Sequence, residues 1–206
     1  MIQYNNMKKL VFLLTFTIII SGCSLNLPNA NQETDKSQTE TNQEQIFENK
    51  YEQEGLGYSI QYPKTWVSED AGKNTIVFSG PEGDESYLTI VKVQKLETKQ
   101  NNGGYEDADQ VITDLKMQAA NSTENATFKE EKIYIYEGQN SLELEGRELL
   151  LEFTKNENRI KEWTIVIPGP KGDYLYYWAY NAPVDIYDKY LDVAQKMLKT
   201  LEIHNE

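Results

Sequence analysis

The 206-residue chain carries 33 acidic and 20 basic side chains, a formal charge of −13, with a single cysteine and a single histidine. One cysteine and one histidine exclude a disulfide framework and a thiolate metal cluster, and they leave a histidine-based triad or zinc site without its residues. Acidity of this degree repels polyanions, so no nucleic-acid partner is expected; it favours solubility and attraction to basic partners.

The N-terminal stretch says where the protein works. Lys8 and Lys9 lead into an apolar run from Leu10 to Ile20, and Ser21 and Gly22 stand before the lone Cys23. A basic flank, a short apolar core and small residues at its end form the pattern of a secretory signal. A spanning helix needs about 18 or more apolar residues, which this run does not reach. An ordinary cleaved signal and a buried core helix are the other readings. Ile20-Ser21-Gly22-Cys23 resembles the lipobox of bacterial lipoproteins. That resemblance implies that residues 1–22 are a lipoprotein signal peptide, that Cys23 is lipidated, and that the mature chain begins there. One acyl chain binds a membrane only marginally, whereas two hold it stably. The expected location is the extracytoplasmic face of the cell membrane, with the membrane itself a partner through the lipid on Cys23. Without residues 1–22, which contain Lys8, Lys9 and no acids, the chain has 18 basic and 33 acidic residues, a charge of −15.

Residues 23–54 are Asn, Gln, Glu, Thr and Ser with few apolar exceptions such as Ile46 and Phe47. Such composition does not bury enough surface to offset ordering entropy, so it is expected to be a disordered polar tether. About 30 flexible residues span roughly 30 Å, enough to hold a domain clear of the head groups. The domain is expected at 55–206. Alternation and a following Pro63 predict a strand over 58–62, with Trp66 capping the core. Further strands are expected over 75–79 and 86–93, joined by a turn at 80–84. Ala108, Val111, Ile112, Leu115 and Ala119 fall on one side of a helix over 106–120. Strands follow over 128–136, 142–153, 160–167 and 174–180, an antiparallel meander in which Gly146 marks a bulge. The last strand carries Tyr174, Tyr176, Trp178 and Tyr180 on one face and Leu175, Tyr177 and Ala179 on the other. Neither face suits water, so both should be covered. Pro183 fits the first turn of a helix over 183–200, whose Tyr187, Tyr190, Leu191, Ala194 and Leu198 share a side. The fold class is α+β: one mostly antiparallel sheet flanked by helices on both faces.

Gly57-Tyr58-Ser59-Ile60-Gln61-Tyr62-Pro63-Lys64-Thr65-Trp66 resembles the opening strand of PsbP-like proteins, and Tyr177-Trp178-Ala179-Tyr180-Asn181-Ala182-Pro183 resembles their ending. The family includes the extrinsic PsbP subunit of photosystem II, Mog1-like proteins and bacterial lipoproteins. The resemblance covers about residues 55–203 and implies an antiparallel sheet flanked by helices. A lipobox stands where a chloroplast transit peptide would be, which speaks against a photosynthetic role.

Three constellations could carry chemistry. Asp185, Asp188 and Asp192 share a helix face and could chelate Ca²⁺, although Asp185 and Asp188 equally suit a helix N-terminus. The aromatic face of 174–180 could line a ligand pocket, or simply pack as core. Glu143 and Glu145 share a strand face and could act as acid and base. No nucleophile elbow, phosphate loop or metalloprotease motif is present. The expectation is a non-enzymatic binding or assembly domain on a membrane anchor, with no catalytic residue, no metal, no cofactor and an extracytoplasmic protein partner. The alternatives are a carboxylate-based hydrolase of cell-surface glycans and a small-ligand or Ca²⁺-binding lipoprotein.

Overall fold

The computed structural model describes residues 47–138 and 142–204. Cys23, the signal segment 1–22 and the tether as far as residue 46 lie outside the described residues. The elements run β1 (Asn49–Glu52), β2 (Tyr58–Tyr62), β3 (Val67–Gly72), β4 (Thr75–Ser79), β5 (Ile90–Glu97), α1 (Ala108–Ser122), β6 (Glu124–Glu137), β7 (Glu143–Lys155), β8 (Asn158–Pro168), β9 (Tyr174–Pro183), α2 (Val184–Lys199) and β10 (Glu202–Ile203). They form a three-stranded sheet, β1-β2-β10, and a seven-stranded sheet, β3-β4-β5-β9-β8-β7-β6. Every strand pairing within the sheets is antiparallel. The fold is mostly antiparallel β with two helices.

Several elements depart from the sequence reading. One sheet was expected, yet β2 pairs with β1 and β10 rather than joining the large sheet. Tyr58, Ser59 and Ile60 are all buried, so β2 lies within the core rather than along a half-solvated face. Asn49–Glu52, expected in the tether, is a strand. Its Tyr51 ring meets Phe78 edge-on at 5.9 Å, and Phe47 packs on the same core, so two aromatic anchors order a stretch whose average composition is polar. Val67–Gly72 is a strand with every residue exposed, held by its backbone ladder to β4. The expected strand over 86–93 starts late. Residues Glu85–Leu88 form a 3-10 turn in which the Asp84 carboxylate accepts from Ser86 N at 2.8 Å and Oγ at 2.6 Å. Gly146 marks no bulge, since the β6–β7 register is continuous through it. An added Cβ there would meet the Val166 carbonyl oxygen at 2.3 Å, so close backbone approach explains the glycine. Pro183 is the N-cap of α2, one residue before its first turn.

The meander is split. Strands β6 to β9 run in succession, and β9 then pairs with β5, which α1 separates from β6 in the chain. Tyr176, Trp178 and Tyr180 of β9 pack in one apolar cluster with Tyr187, Tyr190, Ala194 and Leu198 of α2. Leu175, Tyr177 and Ala179 pack in a second cluster with Val111, Ile112 and Ala119 of α1. The two-residue period of the strand thus deals alternate side chains to two cores. Trp178 meets Trp163 of β8 edge-on at 5.0 Å, and both Trp178 and Tyr180 are fully buried. Burying a large apolar side chain contributes roughly 1.5–3 kcal/mol, so β9, which supplies both clusters, contributes several such terms. Asp107 caps α1 by accepting from Gln110 N at 2.9 Å. Among the described residues no helix is long and apolar enough to cross a membrane.

Candidate functional site

Where β7 passes the start of α1, a cleft of about 280 Å³ opens, lined by Glu106, Asp107, Asp109, Glu145, Arg147 and the apolar Leu175 among others. Asp107 is the N-cap of α1 and Asp109 lies in its first turn, and the strand period puts Glu145 and Arg147 on one face of β7. The Arg147 guanidinium donates from Nε to Asp109 Oδ1 at 2.6 Å and from Nη2 to Asp109 Oδ2 at 3.0 Å. Its Nη1 donates to Glu145 Oε1 at 2.9 Å. Asp109 first and Glu145 second raise the Arg147 pKa. A two-point fork of this kind fixes direction as well as charge. On the rim, Glu106 pairs with Lys99 at 3.2 Å and the Asp107 carboxylate caps α1, so the acids of the cleft are engaged within the chain beside the apolar Leu175. Among the described residues no group of His, Cys, Asp or Glu is placed to hold a metal ion.

A second polar cluster lies on the α1 side of the large sheet. Lys92 Nζ of β5 sits 4.3 Å from the centroid of the Tyr177 ring. The Tyr177 hydroxyl donates to Glu162 Oε1 at 3.2 Å, and Thr164 Oγ1 donates to the same oxygen at 3.0 Å. Asn181 Nδ2 reaches Glu162 Oε2 at 3.5 Å. Burial pushes the Lys92 pKa down against the opposing charge of Glu162. Burial, reinforced by Glu162, pushes the Tyr177 hydroxyl well up. The carboxylate thus holds three donors while facing an ammonium across a ring, which orients the centre of the sheet. Sequence reasoning missed both clusters because their members come from different strands without a local motif. The one legible signal was that Lys92 stands between Val91 and Val93, which assigns it to the face opposite theirs.

The residues singled out from sequence are distributed differently. Cys23 is outside the described residues. Asp185, Asp188 and Asp192 are exposed on α2. Lys161 pairs with Asp188 at 3.5 Å, and Lys196 pairs with Asp192 at 2.9 Å. The structure does not bring the three aspartates together as a ligand set. Tyr176, Trp178 and Tyr180 are core rather than pocket lining. Tyr174, at the end of that face, borders a small cavity of about 40 Å³ with Lys95 and His204. Glu143 and Glu145 are both exposed, and Glu145 is engaged by Arg147.

No family model matches the chain, and no curated protein sequence matches it either. Solved structures do. Cyanobacterial PsbP from Synechocystis superposes with a TM-score of 0.54 at 14% identity, over 76% of this chain and 92% of that one. The chain has the PsbP fold. The expected fold relationship therefore holds, at an identity that speaks for architecture alone. A protein from Bacteroides thetaiotaomicron gives a TM-score of 0.51 at 13% identity over 78% of this chain, which spans half of that protein's length. The Ran-binding protein Mog1p of Saccharomyces cerevisiae gives 0.49 at 12% identity, over 77% of this chain and 96% of that one.

Proposed function

We propose that this protein is a lipoprotein held at the extracytoplasmic face of the cell membrane, where its PsbP-type domain binds another extracytoplasmic protein and catalyses no reaction. The observation that carries the reading is Ile20-Ser21-Gly22-Cys23 directly behind Lys8, Lys9 and a short apolar run. A diacylglyceryl group on Cys23 supplies the two chains that stable anchoring requires. The residues between Cys23 and β1 then act as the tether. In the domain itself, α2 and α1 belong to separate apolar clusters that share β9, which supports reading the architecture as helices on both faces of the large sheet. Asp109 and Glu145 both accept from Arg147. With both turned to Arg147, neither carboxylate is free to serve as the acid or base that glycan hydrolysis requires. The net charge of −15 after residue 22 favours a basic partner.

The test is mass spectrometry of the natural N-terminus. The expected chain begins at Cys23 and carries a diacylglyceryl-sized addition. A chain that keeps Met1 or Met7, or that begins at an unmodified residue beyond Cys23, refutes the anchor. Affinity capture from membranes with the anchor intact then identifies the partner.

A further inference from the structure

We infer that the outer edge of β6 is a strand-addition site for an extended segment patterned basic-x-apolar-x-apolar-x-basic; this rests on the binding-module reading and names its partner's chemistry. Strand β6 ends the seven-stranded sheet, so one side of its backbone has no strand partner among the described residues. Its two register shifts fall between Glu124 and Thr127 and between Phe128 and Glu130. Bulges and charges are how proteins blunt such edges. From Glu130 to Glu137, however, the pairing with β7 is regular, so no bulge blunts that half, and its charges, Glu130, Glu131, Lys132 and Glu137, stand at its two ends around Ile133–Tyr136.

The side chains there are unusual for a blunted edge. Ile133 is 57% exposed and Ile135 44% exposed, and both share a face with Glu131 and Glu137. Register places Ile133 opposite Arg147 and Ile135 opposite Glu145, which puts this face on the α1 side of the sheet. Glu137 stands directly opposite Glu143, and both are exposed. Like charges facing each other across a ladder are destabilising, and a cation between them removes that cost. The face therefore reads acid, apolar, apolar, acid along β6; Glu131 at the near end already pairs with Lys116 of α1 at 2.7 Å, whereas the far end carries Glu137 doubled by Glu143. An added strand gains affinity from main-chain hydrogen bonds and specificity from alternate side chains. Its complement is a segment with two apolar residues against Ile133 and Ile135 and a Lys or Arg at each end. A second copy of this chain fits worse. Setting Ile133 against Ile135 of another β6 brings Glu131 against Glu137, on molecules that already repel.

The test is an NMR titration of the full chain in detergent micelles with the capped peptide Lys-Thr-Val-Thr-Val-Thr-Lys. Shifts confined to 130–137 and the facing part of β7 are expected, with binding at least tenfold weaker for Glu-Thr-Val-Thr-Val-Thr-Glu. Ile133→Thr with Ile135→Thr should weaken the Lys peptide at least tenfold, as should Glu137→Lys with Glu143→Lys. All four positions are exposed, and unchanged spectra away from β6 and β7 verify the fold. Equal affinity for the two peptides, no shifts at millimolar peptide, or shifts centred on Glu106–Asp109 at the start of α1 would each overturn the assignment. So would a sedimenting dimer abolished by the isoleucine pair, which makes a second copy the occupant. None of these outcomes bears on Cys23, so failure here and failure of the anchor are told apart.

Discussion

Tyr136→Phe isolates one hydroxyl that ties the large sheet to the small one. Tyr136 on β6 is buried, and its hydroxyl donates to the Leu201 carbonyl at 3.1 Å while accepting from Ile203 N–H at 2.9 Å. Leu201 and Ile203 are buried too, at the junction of α2 and β10. Phenylalanine keeps the ring and its packing, so the loss is confined to the two hydrogen bonds. A net hydrogen bond contributes about 1 kcal/mol, and each buried group left unsatisfied costs about 1–3 kcal/mol. The variant should therefore lose about 2–4 kcal/mol. In a domain of this size that is a fall in Tm of roughly 5–15 °C. Urea unfolding measures the loss, and amide exchange at Ile203 should quicken in the variant at the same time. Tyr134→Phe is the control: Tyr134 is half-buried on the same strand and makes no hydroxyl hydrogen bond among the described residues. Burial, reinforced by Glu148, also pushes its hydroxyl up to about 12, so it too is largely withdrawn from water. If Tyr136→Phe lowers stability no more than Tyr134→Phe does, the bridging role of that hydroxyl is wrong.

Gly146→Ala should cost about 1–3 kcal/mol by overpacking, because the new Cβ meets the Val166 carbonyl; Gly104→Ala, where nothing lies within 4 Å, should melt with the native chain. The Tyr58, Tyr177, Tyr180 and Tyr187 hydroxyls are all raised by burial. Their folded values exceed the unfolded value of about 10, so the stability they contribute is full below that pH and is lost as pH rises beyond it. Phenolate absorbance from these residues should appear together with loss of near-ultraviolet circular dichroism above about pH 10; independent titration without unfolding would contradict the burial argument. Cys23→Ser should leave the thermal transition of the domain unchanged and abolish the lipid mass, since Cys23 precedes every described element; retention of the acyl mass would place the anchor elsewhere.

Periodicity alone determined the elements that face a core. Residues 58–62 and 75–79 were legible as strands, and both helices were legible from their apolar sides, because burial imposes a two- or 3.6-residue rhythm on the residue types themselves. The two faces of 174–180 were legible for the same reason, and the structure deals them to two clusters. Rhythm carries no information about neighbours. Only tertiary structure decided that β2 leaves the large sheet for β1 and β10, although its local pattern is that of any half-buried strand. It alone recruited Phe47 and Tyr51 from a polar stretch, since two side chains against a preformed core outweigh an unpromising average. Val67–Gly72 has no apolar rhythm to read, because an exposed edge strand is held by its backbone ladder. The functional surfaces follow the same division. Arg147 meeting Asp109, Lys92 facing Glu162 across Tyr177, and Glu137 standing opposite Glu143 are products of register and of helix placement, which set distant residues side by side without leaving any mark in the sequence around each one.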